Sequence, residues 1–287
     1  MDDIKIAAVI ILYYPGEHFN DNLNSIIEQV DKIFLVNNSE SGNISEIDNP
    51  PYLDKIEYIN LFKNHGVSAA LNVAAGLAIS QNFNYLLTLD QDSKVHPDLI
   101  KNYLHYITNN SFNKIGILAP NYLYKDYLEK GGKNCDNKIK VSMTSGSLLN
   151  LEAYKFIGPF LDKLFIDYVD IEYCLRLKKH GFEIIKIHDA YIFHNLGSIR
   201  GRKFIMKKIA ITNHSPLRLF YRTRNRFFVY KLYLFEFPAY VLKDIVIFIN
   251  ELIKILFYEK NKIEKFKWIF KGMLYFFKNK MNKYEHD

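Results

Sequence analysis

The 287-residue sequence is 49% hydrophobic, 24% charged and 15% aromatic, a composition that excludes an intrinsically disordered chain. No run of about 18 apolar residues is without charge, which excludes a convincing transmembrane helix, and the two cysteines form neither a metal-binding spacing nor a disulfide framework. The net charge of +7 is unevenly distributed, since residues 200–287 hold 20 of the 38 Lys and Arg residues but 7 of the 31 acidic ones. This basic C-terminal part indicates an anionic partner, such as a membrane surface or nucleic acid.

The start of the chain, through the β-branched run Ile4–Tyr13, predicts a first strand rather than a signal peptide, because it opens with acidic residues and lacks a small-residue cleavage site. We therefore expect a cytoplasmic protein. Pro15-Gly16 ends this strand, a helical pattern follows, and KIFLVNNS predicts the second strand. Residues 66–82, rich in Ala and Leu, predict a second helix, and the run that ends in Asp90 predicts a third strand.

This β-α-β-α-β series predicts an α/β fold with a mainly parallel sheet flanked by helices, because continuous apolar strands alternate with helices. In such sheets ligands bind at the carboxyl ends of the strands, where Asn37, Asn38, Asp90 and Asp92 fall. Further along the chain, the segments IGILAP, MTSGSLLN and EIIKIHDAYIFHN predict strands, and VDIEYCLRLKKHG predicts a helix.

The motif Asp90-Gln91-Asp92 follows an apolar run, so the third strand would deliver two carboxylates to the sheet edge. Carboxylate oxygens are hard ligands that suit Mg²⁺ or Mn²⁺, and Mg²⁺ is usually held by one or two carboxylates together with substrate phosphates. The pattern therefore predicts a divalent-metal site and a diphosphate-bearing substrate. The alternative is that these residues only cap a turn or the next helix.

A second acidic cluster lies in FIDYVDIEYCLR, where Asp167 and Asp170 would share one face of a helix. We expect one carboxylate to act as a general base on an acceptor hydroxyl. Glu172 and Arg176 are spaced for an ion pair one helical turn apart. The alternative is a helix whose acidic first turn suits its dipole, with one ordinary ion pair.

The segment FHNLGSIRGRK follows the last predicted strand. Its His194 could complete a metal site, and Arg200, Arg202 and Lys203 could bind phosphate oxygens. A lone histidine is more often a hydrogen-bonded structural residue, so the metal role of His194 depends on its position relative to the two acidic segments.

After an expected first domain over residues 1–202, long helical patterns rich in Lys, Arg, Phe and Tyr predict a helical, basic extension over residues 203–287. Within residues 262–280, apolar side chains recur on one helix face, with lysines among the polar positions. The apolar positions are Ile263, Phe266, Ile269, Phe270, Met273, Leu274 and Phe277. Such a helix is typical of an anionic bilayer interface, and packing on its own domain or on a dimer partner gives the same pattern.

The chain resembles the glycosyltransferase family 2 enzymes of GT-A fold, and most closely their rhamnosyltransferase-like members. The segments that carry the resemblance are VIILYYP, LVNNS, NHGVSAALNVA, LTLDQDS, TSGSLLN, DYVDIEYCLRLKKHGF and HNLGS, and SPLRLFYRTRNRFF is similar to the segment that follows the catalytic domain in that subgroup. The resemblance implies an inverting transfer of a sugar to a hydroxyl of a lipid-linked glycan in cell-envelope polysaccharide synthesis. The sugar that it favours is L-rhamnose, with dTDP-rhamnose as the donor. The cofactor it implies is Mg²⁺ or Mn²⁺.

The family's motif positions imply roles for individual residues. Asp92 is the expected direct metal ligand, Asp90 is expected nearer the sugar or ribose, and His194 is expected at the metal or diphosphate site. Asp170 is the expected base. The expected donor-binding residues are Asn38, Asn64, Asn72, Asp90, Gln91, Arg200 and Arg202, and the expected acceptor-side or supporting residues are Ser145, Gly146, Asp167, Glu172 and Arg176.

The expected partners are a nucleotide-sugar donor, a glycan or lipid-linked acceptor and the cytoplasmic face of the cell membrane, contacted peripherally through the basic C-terminal helices, with a homo-oligomer left open. One alternative is a family 2 transferase that uses a UDP-hexose or UDP-HexNAc, because the sugar pocket cannot be located from the sequence. Another class is a nucleic-acid-binding protein whose basic, aromatic tail stacks on single strands. The helical periodicity of the tail favours a lipid or protein surface, so we expect no nucleic-acid partner.

Overall fold

The computed structural model describes residues 4–16, 18–41, 53–110, 114–124, 127–128, 135–194, 200–204, 207–211, 213–281 and 283–284. Packing divides the chain into two compact units. The first comprises Met1–Asp162 and Val169–Asn195, and the second comprises Lys163–Tyr168 and Leu196–Asp287. The functional roles assigned to residues 1–202 and 203–287 stay predictions.

The first unit is built on a ten-stranded sheet with helices along it. Its strands are β1 (Ile6–Leu12), β2 (Lys32–Asn37), β3 (Ile56–Asn60), β4 (Tyr85–Asp90), β5 (Ser93–Val95), β6 (Ile115–Tyr124), β7 (Tyr127–Leu128), β8 (Asn137–Ile139), β9 (Ser147–Asn150) and β10 (Glu183–His194). Its helices are α1 (Phe19–Ile26), α2 (Val67–Ser80), α3 (Leu99–Asn109), α4 (Leu151–Ile157) and α5 (Val169–Lys179). The strand order is β3-β2-β1-β4-β9-β6-β10-β5, with β7 beside β6 and β8 beside β10. This architecture confirms the predicted α/β class.

The sheet is mixed rather than mainly parallel. Strands β2, β1 and β4 run parallel, as the β-α-β-α-β pattern predicts, and β3, which the pattern did not include, runs parallel to β2. Strand β9 runs antiparallel to both of its neighbours, β4 and β6. Parallel neighbours need a crossover, usually a helix, whereas the described residues between β6 and β9 contain strands and loops without a helix. The antiparallel insertion of β9 follows from that direct connection.

Both faces of the sheet are covered, which explains why its central strands are apolar throughout. Six of the seven residues of β1 are buried. Helices α1 and α3 share one core with alternate residues of β1 and β4, through side chains such as Phe19, Leu23 and Tyr103. Helix α2 has four buried alanines and packs along β1 and β4, because small side chains allow a close approach.

The second unit contains a β-ribbon and three long helices. The strands are β11 (Arg200–Phe204) and β12 (Lys207–Ile211), which pair antiparallel, and the helices are α6 (Pro216–Tyr233), α7 (Pro238–Tyr258) and α8 (Lys262–Phe277). Ser215 caps α6, since its hydroxyl accepts the Arg218 N–H at 3.3 Å. Helices α6 and α8 pack so closely at Gly272 that a Cβ on this residue would lie 2.6 Å from the Phe220 carbonyl oxygen.

The apolar face predicted within residues 262–280 is divided in the structure. Phe266, Ile269 and Met273 pack in a cluster with side chains of α6 and α7, as the packing interpretation of this helix expected. The remaining four positions are exposed, and they are Ile263, Phe270, Leu274 and Phe277. None of the helices in the described ranges is both long enough and apolar enough to cross a bilayer.

Candidate active site

The carboxyl ends of β1, β2 and β4 meet at one edge of the sheet. The parallel register pairs Leu12 with Asn37 and Ile11 with Asp90. The side chains that the sequence placed at strand ends are therefore neighbours, as expected for ligand sites in sheets of this kind.

The carboxylate turn, residues 90–93, connects β4 to β5 at this edge. Asp90 is half-buried and Asp92 is exposed. The Gln91 amide forms two hydrogen bonds with the backbone of Tyr13, from the Tyr13 N–H to Oε1 at 2.7 Å and from Nε2 to the Tyr13 oxygen at 3.1 Å. Asn22 adds a hydrogen bond to the Gln91 carbonyl at 3.0 Å. The Gln91 side chain thus fixes the end of β1, and its role toward a donor stays a prediction.

One hydroxyl, that of Ser145, holds both ends of the carboxylate turn. It accepts the backbone N–H of Asp90 at 3.1 Å and lies 2.7 Å from the Ser93 hydroxyl. Ser145 is 1% exposed, and its carbonyl accepts the Tyr122 hydroxyl at 3.1 Å. A buried hydrogen bond of this kind is costly to lose, because the remaining donor has no water to replace its partner. Ser145 is therefore a positioning residue for Asp90 and Asp92.

Gly146 allows the chain to make this approach. Its φ of +80° lies in the left-handed region, and its N–H donates to the Thr88 carbonyl at 2.7 Å. A Cβ at this position would lie 2.7 Å from Pro120 Cγ and 2.9 Å from Ile192 Cδ1. Both the backbone conformation and the available space therefore require glycine.

The two carboxylates of the turn have the donor chemistry of a Mg²⁺ or Mn²⁺ site that a substrate diphosphate would complete. The backbone of His194, the third predicted ligand, lies beside the carboxylate turn, because His194 pairs in register with Ser93 of β5. The structure describes only the backbone of His194, Arg200 and Arg202. Within the described residues, no group of three or more His, Cys, Asp or Glu side chains is arranged to hold a metal. The residues present thus fit a site in which the substrate supplies further oxygens.

Asn38 and Asn64 organise the loop that leads into α2. The Asn38 amide donates to the Gly66 carbonyl at 3.1 Å, and its oxygen accepts the His65 N–H at 2.8 Å. The Asn64 oxygen accepts the Gly66 N–H at 3.0 Å. Asn38 is 3% exposed, so its side chain ties the end of β2 to this loop. Donor binding by these residues stays a prediction.

Asn72 uses its whole hydrogen-bonding capacity within the first unit. Its Nδ2 donates to the Phe160 carbonyl at 2.9 Å and to Asp162 Oδ1 at 2.7 Å. Its oxygen accepts the Tyr154 hydroxyl and the Phe160 N–H, each at 2.9 Å. An amide has two donors and two acceptor sites, so Asn72 joins α2 to residues 154–162 rather than to the carboxylate turn.

Asp170 lies in the first turn of α5 and lines a small cavity with Thr144, Tyr173 and Cys174. The Ile171 N–H donates to its Oδ1 at 2.8 Å, and the side chain is half-buried. Burial raises the pKa of the Cys174 thiol to about 12 and also raises the pKa of Tyr173. Both groups stay protonated at neutral pH. Asp170 is the carboxylate among the described residues that line this cavity.

The predicted pair of Glu172 and Arg176 is present, and its carboxylate is buried. Glu172 is 1% exposed, and its two oxygens accept from Nε and Nη2 of Arg176, both at 3.0 Å. Arg176 also donates to the carbonyls of Ile157 at 3.0 Å and Pro159 at 2.7 Å. The pair therefore fixes α5 to the end of α4, a function that the i,i+4 spacing alone did not reveal.

Asp167 does not share a helix face with Asp170, which corrects the sequence prediction. Helix α5 begins at Val169, and Asp167 has a φ of +60° in the preceding segment. Within the second unit, Arg218 donates to both Asp167 oxygens at 3.2 Å. Asn225 donates to the Asp167 carbonyl at 3.0 Å. These contacts from α6 hold the segment in a non-helical conformation.

Comparison with known proteins finds glycosyltransferases whose sequences are similar to this chain. A model described as "Glycosyl transferase family 2" matches residues 8–144. The chain is 27% identical over 282 residues to "dTDP-rhamnosyl transferase RfbF" of Shigella flexneri, across 92% of each chain. It is 26% identical over 220 residues to "Low-salt glycan biosynthesis hexosyltransferase Agl10" of Haloferax volcanii, across 68% of each chain. The chain is a glycosyltransferase that is similar to the family 2 enzymes.

Solved structures show the same fold at low sequence identity. GalNAc-T7, crystallised with UDP, GalNAc and Mn²⁺, has a TM-score of 0.59 at 12% identity and covers 83% of this chain, which spans 50% of that one. Residues 1–349 of S. aureus TarS give a TM-score of 0.55 at 13% identity, over 94% of this chain and 71% of that one. The glycosyltransferase therefore has a GT-A-like catalytic fold.

Two residues of the glycosyltransferase site were not singled out from the sequence. Thr88 donates through its hydroxyl to the Thr144 carbonyl at 2.5 Å, and Ser93 joins Ser145 as described above. The signal for Thr88 is an aliphatic hydroxyl between the apolar residues Leu87 and Leu89 of β4. Ser93 carries no such signal, because its role depends on a residue from a distant strand.

We expect Gly146→Ala to lower the free energy of unfolding of the glycosyltransferase by about 1–3 kcal/mol, since a Cβ would overlap Pro120 and Ile192. Thermal unfolding followed by circular dichroism measures the change. The matched control is Gly76→Ala in α2, where no atom lies within 4 Å of the added Cβ and where Ala stabilises a helix by about 0.5–1 kcal/mol. A Gly146→Ala variant that unfolds at the wild-type temperature would contradict this role.

Proposed function

We propose that the enzyme transfers L-rhamnose from dTDP-rhamnose to a hydroxyl of a lipid-linked glycan during synthesis of a cell-envelope polysaccharide. The observation that carries the donor assignment is the 27% identity to a dTDP-rhamnosyl transferase, which extends over 92% of both chains and so includes the helical second unit. The acceptor and the inverting course follow from the resemblance to the rhamnosyltransferase-like subgroup.

The donor site is proposed at the carboxylate turn. Asp92 would bind Mg²⁺ or Mn²⁺ directly, with Asp90 nearer the sugar or ribose and His194 as a further ligand. The metal would neutralise the leaving nucleoside diphosphate as a Lewis acid. Arg200 and Arg202 are assigned to the diphosphate oxygens, which suit guanidinium groups. Ser145, through its bonds to Asp90 and Ser93, holds the two carboxylates in place before the donor binds.

Asp170 is proposed as the base that receives the acceptor proton. As the acceptor oxygen bonds to the anomeric carbon, the carbon–oxygen bond to the diphosphate breaks and its electron pair leaves with dTDP. The acceptor hydroxyl proton passes to the Asp170 carboxylate. Tyr173 and Cys174 line the same cavity, and their raised pKa values keep them protonated and unsuited to this role. Glu172 and Arg176 support the base by fixing α5.

A second donor class has its own supporting observation. The Haloferax relative is named a hexosyltransferase, and its match covers 68% of both chains at 26% identity. A UDP-hexose or UDP-HexNAc donor is therefore the alternative. The lower coverage and the lower identity place it second.

The proposed location is the cytoplasmic face of the cell membrane. The net positive charge of residues 200–287 and the exposed apolar residues of α7 and α8 support peripheral contact with lipid. A lipid-linked acceptor would then lie within reach of the enzyme, with a homo-oligomer left open.

A thermal-unfolding screen of nucleotide sugars tests the donor assignment. With Mn²⁺ present, dTDP-rhamnose should raise the midpoint of thermal unfolding more than equal concentrations of UDP-glucose or UDP-N-acetylglucosamine, because the tighter-binding ligand stabilises the native state more. A ligand at 100 times its Kd contributes about 2.7 kcal/mol. Chelation of the metal should reduce the shift. A larger shift with a UDP-hexose would favour the alternative donor, and no response to any nucleotide sugar would contradict the proposed function.

Asp170→Asn should lower the rate of sugar transfer by roughly 10²–10⁴-fold, because the amide cannot accept the acceptor proton. The donor-induced thermal shift should be unchanged, since the substitution keeps the side-chain shape. Asp189→Asn, at a carboxylate that is 74% exposed, is the control and should transfer at the wild-type rate. Wild-type turnover by the Asp170 variant would refute the assignment of the base.

A further inference from the structure

Helix α7 has apolar side chains on two sides, and within the described part of the second unit only one side is covered. Val241, Phe248 and Ile255 are buried, with exposed fractions of 1%, 9% and 2%. Five aliphatic residues on the other side form what we call the α7 stripe. They are Leu242, Val246, Ile249, Ile253 and Leu256, with exposed fractions of 60%, 57%, 50%, 45% and 48%. A continuous apolar face on a helix is normally covered, so the stripe indicates contact with something else.

The spacing of the stripe places its members in one row. The intervals from Leu242 to Leu256 alternate between four and three residues, which keeps successive side chains on the same helix face. Phe257 extends the row with an exposed fraction of 65%, and Phe235 in the turn before α7 is 90% exposed. Scattered exposed aliphatic residues are ordinary on protein surfaces, whereas a continuous row of this length is not.

The charged residues of α7 differ between its two sides. Asp244 is 6% exposed and accepts from Arg226 Nε at 2.9 Å, and a Glu251 oxygen lies 2.8 Å from Arg226 Nη2. These carboxylates are thus neutralised inside the second unit. Helical spacing puts Lys243, which is exposed, on one flank of the stripe. The charge beside the stripe is therefore positive.

A second copy of the chain complements this surface poorly. Two stripes packed together would place Lys243 of both copies beside the shared apolar contact, and the positions of α7 that flank the stripe offer no carboxylate to complement it. An anionic lipid surface complements both features. The aliphatic side chains would enter the headgroup boundary while Lys243 meets phosphate groups.

We infer that the α7 stripe docks on an anionic lipid surface. The inference deepens the proposed function and rests on it, because a lipid-linked acceptor would lie at that surface. It moves the main lipid-facing surface from α8, where the sequence pattern placed it, to α7. The α8 residues Phe266, Ile269 and Met273 pack inside the second unit and cannot reach lipid in this conformation.

The test is flotation of the full-length chain with vesicles of phosphatidylcholine, alone or mixed with phosphatidylglycerol. The wild-type chain should float more with the mixed vesicles. The double variant Ile249→Gln/Ile253→Gln should bind them roughly tenfold more weakly, because it removes apolar area from the interface. Lys243→Gln should weaken binding about fivefold, the contribution of one lysine near an anionic surface.

A matched pair of substitutions separates the α7 surface from general exposure of aromatic rings. Phe257→Gln, at a 65% exposed position of α7, should weaken flotation, whereas Phe156→Gln, at a 71% exposed position of α4, should not. Equal flotation of the double variant and the wild type would overturn the inference. So would a wild-type chain that binds neither vesicle but forms a dimer that the double variant loses.

Donor binding measured on the same proteins distinguishes the two proposals. The double variant should keep the thermal shift produced by dTDP-rhamnose and Mn²⁺, because Ile249 and Ile253 are not among the residues assigned to donor binding. Normal flotation without any donor response would contradict the proposed function and support the lipid-docking surface. A normal donor response without flotation would support the proposed donor and contradict the lipid-docking surface.

Discussion

The buried hydroxyl of Ser145 is the constraint on which the candidate active site depends. It bonds to the Asp90 N–H and to the Ser93 hydroxyl, residues that precede it by more than 50 positions, so the segment that leads into β9 supports the carboxylate turn from a distant part of the chain. Gly146, with a φ of +80°, makes this approach possible. The mixed sheet and the acidic turn are therefore two aspects of one arrangement, since the antiparallel strand that interrupts the parallel order also brings the supporting residue.

Much of the fold could be predicted because its signals are local. Apolar runs and helical periodicity identified the strands β1, β2 and β4 with the helices between them, and the acidic motif after β4 indicated a ligand site. Long-range hydrogen bonds decided the remainder. Such bonds join the amides of Asn72 and Gln91 to Phe160 and Tyr13, while the donor-binding roles of the two residues stay predictions. Asp167 was expected on a helix, and contacts from α6 hold it outside one.

The second unit shows why a basic tail is an incomplete description of residues 203–287. Several of its charges are internal, including Arg226 with Asp244 and Lys265 with Glu259, at 2.9 and 2.6 Å. Removal of one member of a buried pair is strongly destabilising, because the other charge stays buried without compensation. Exposed lysines such as Lys243 are what remains for a partner. Net charge alone could not separate the two groups, since burial depends on which residues α6 and α8 place against α7.

The central claim is that Ser145 positions the carboxylates that would hold the divalent cation. The most direct measurement is calorimetric titration of Mn²⁺, with dTDP present, into the wild type, Ser145→Ala and the exposed control Ser80→Ala. Ser145→Ala should bind Mn²⁺ roughly tenfold more weakly, the expected effect of leaving the partly buried Asp90 N–H without this partner, and Ser80→Ala should bind as the wild type does. Equal Mn²⁺ affinity of a folded Ser145→Ala variant and the wild type would contradict the claim.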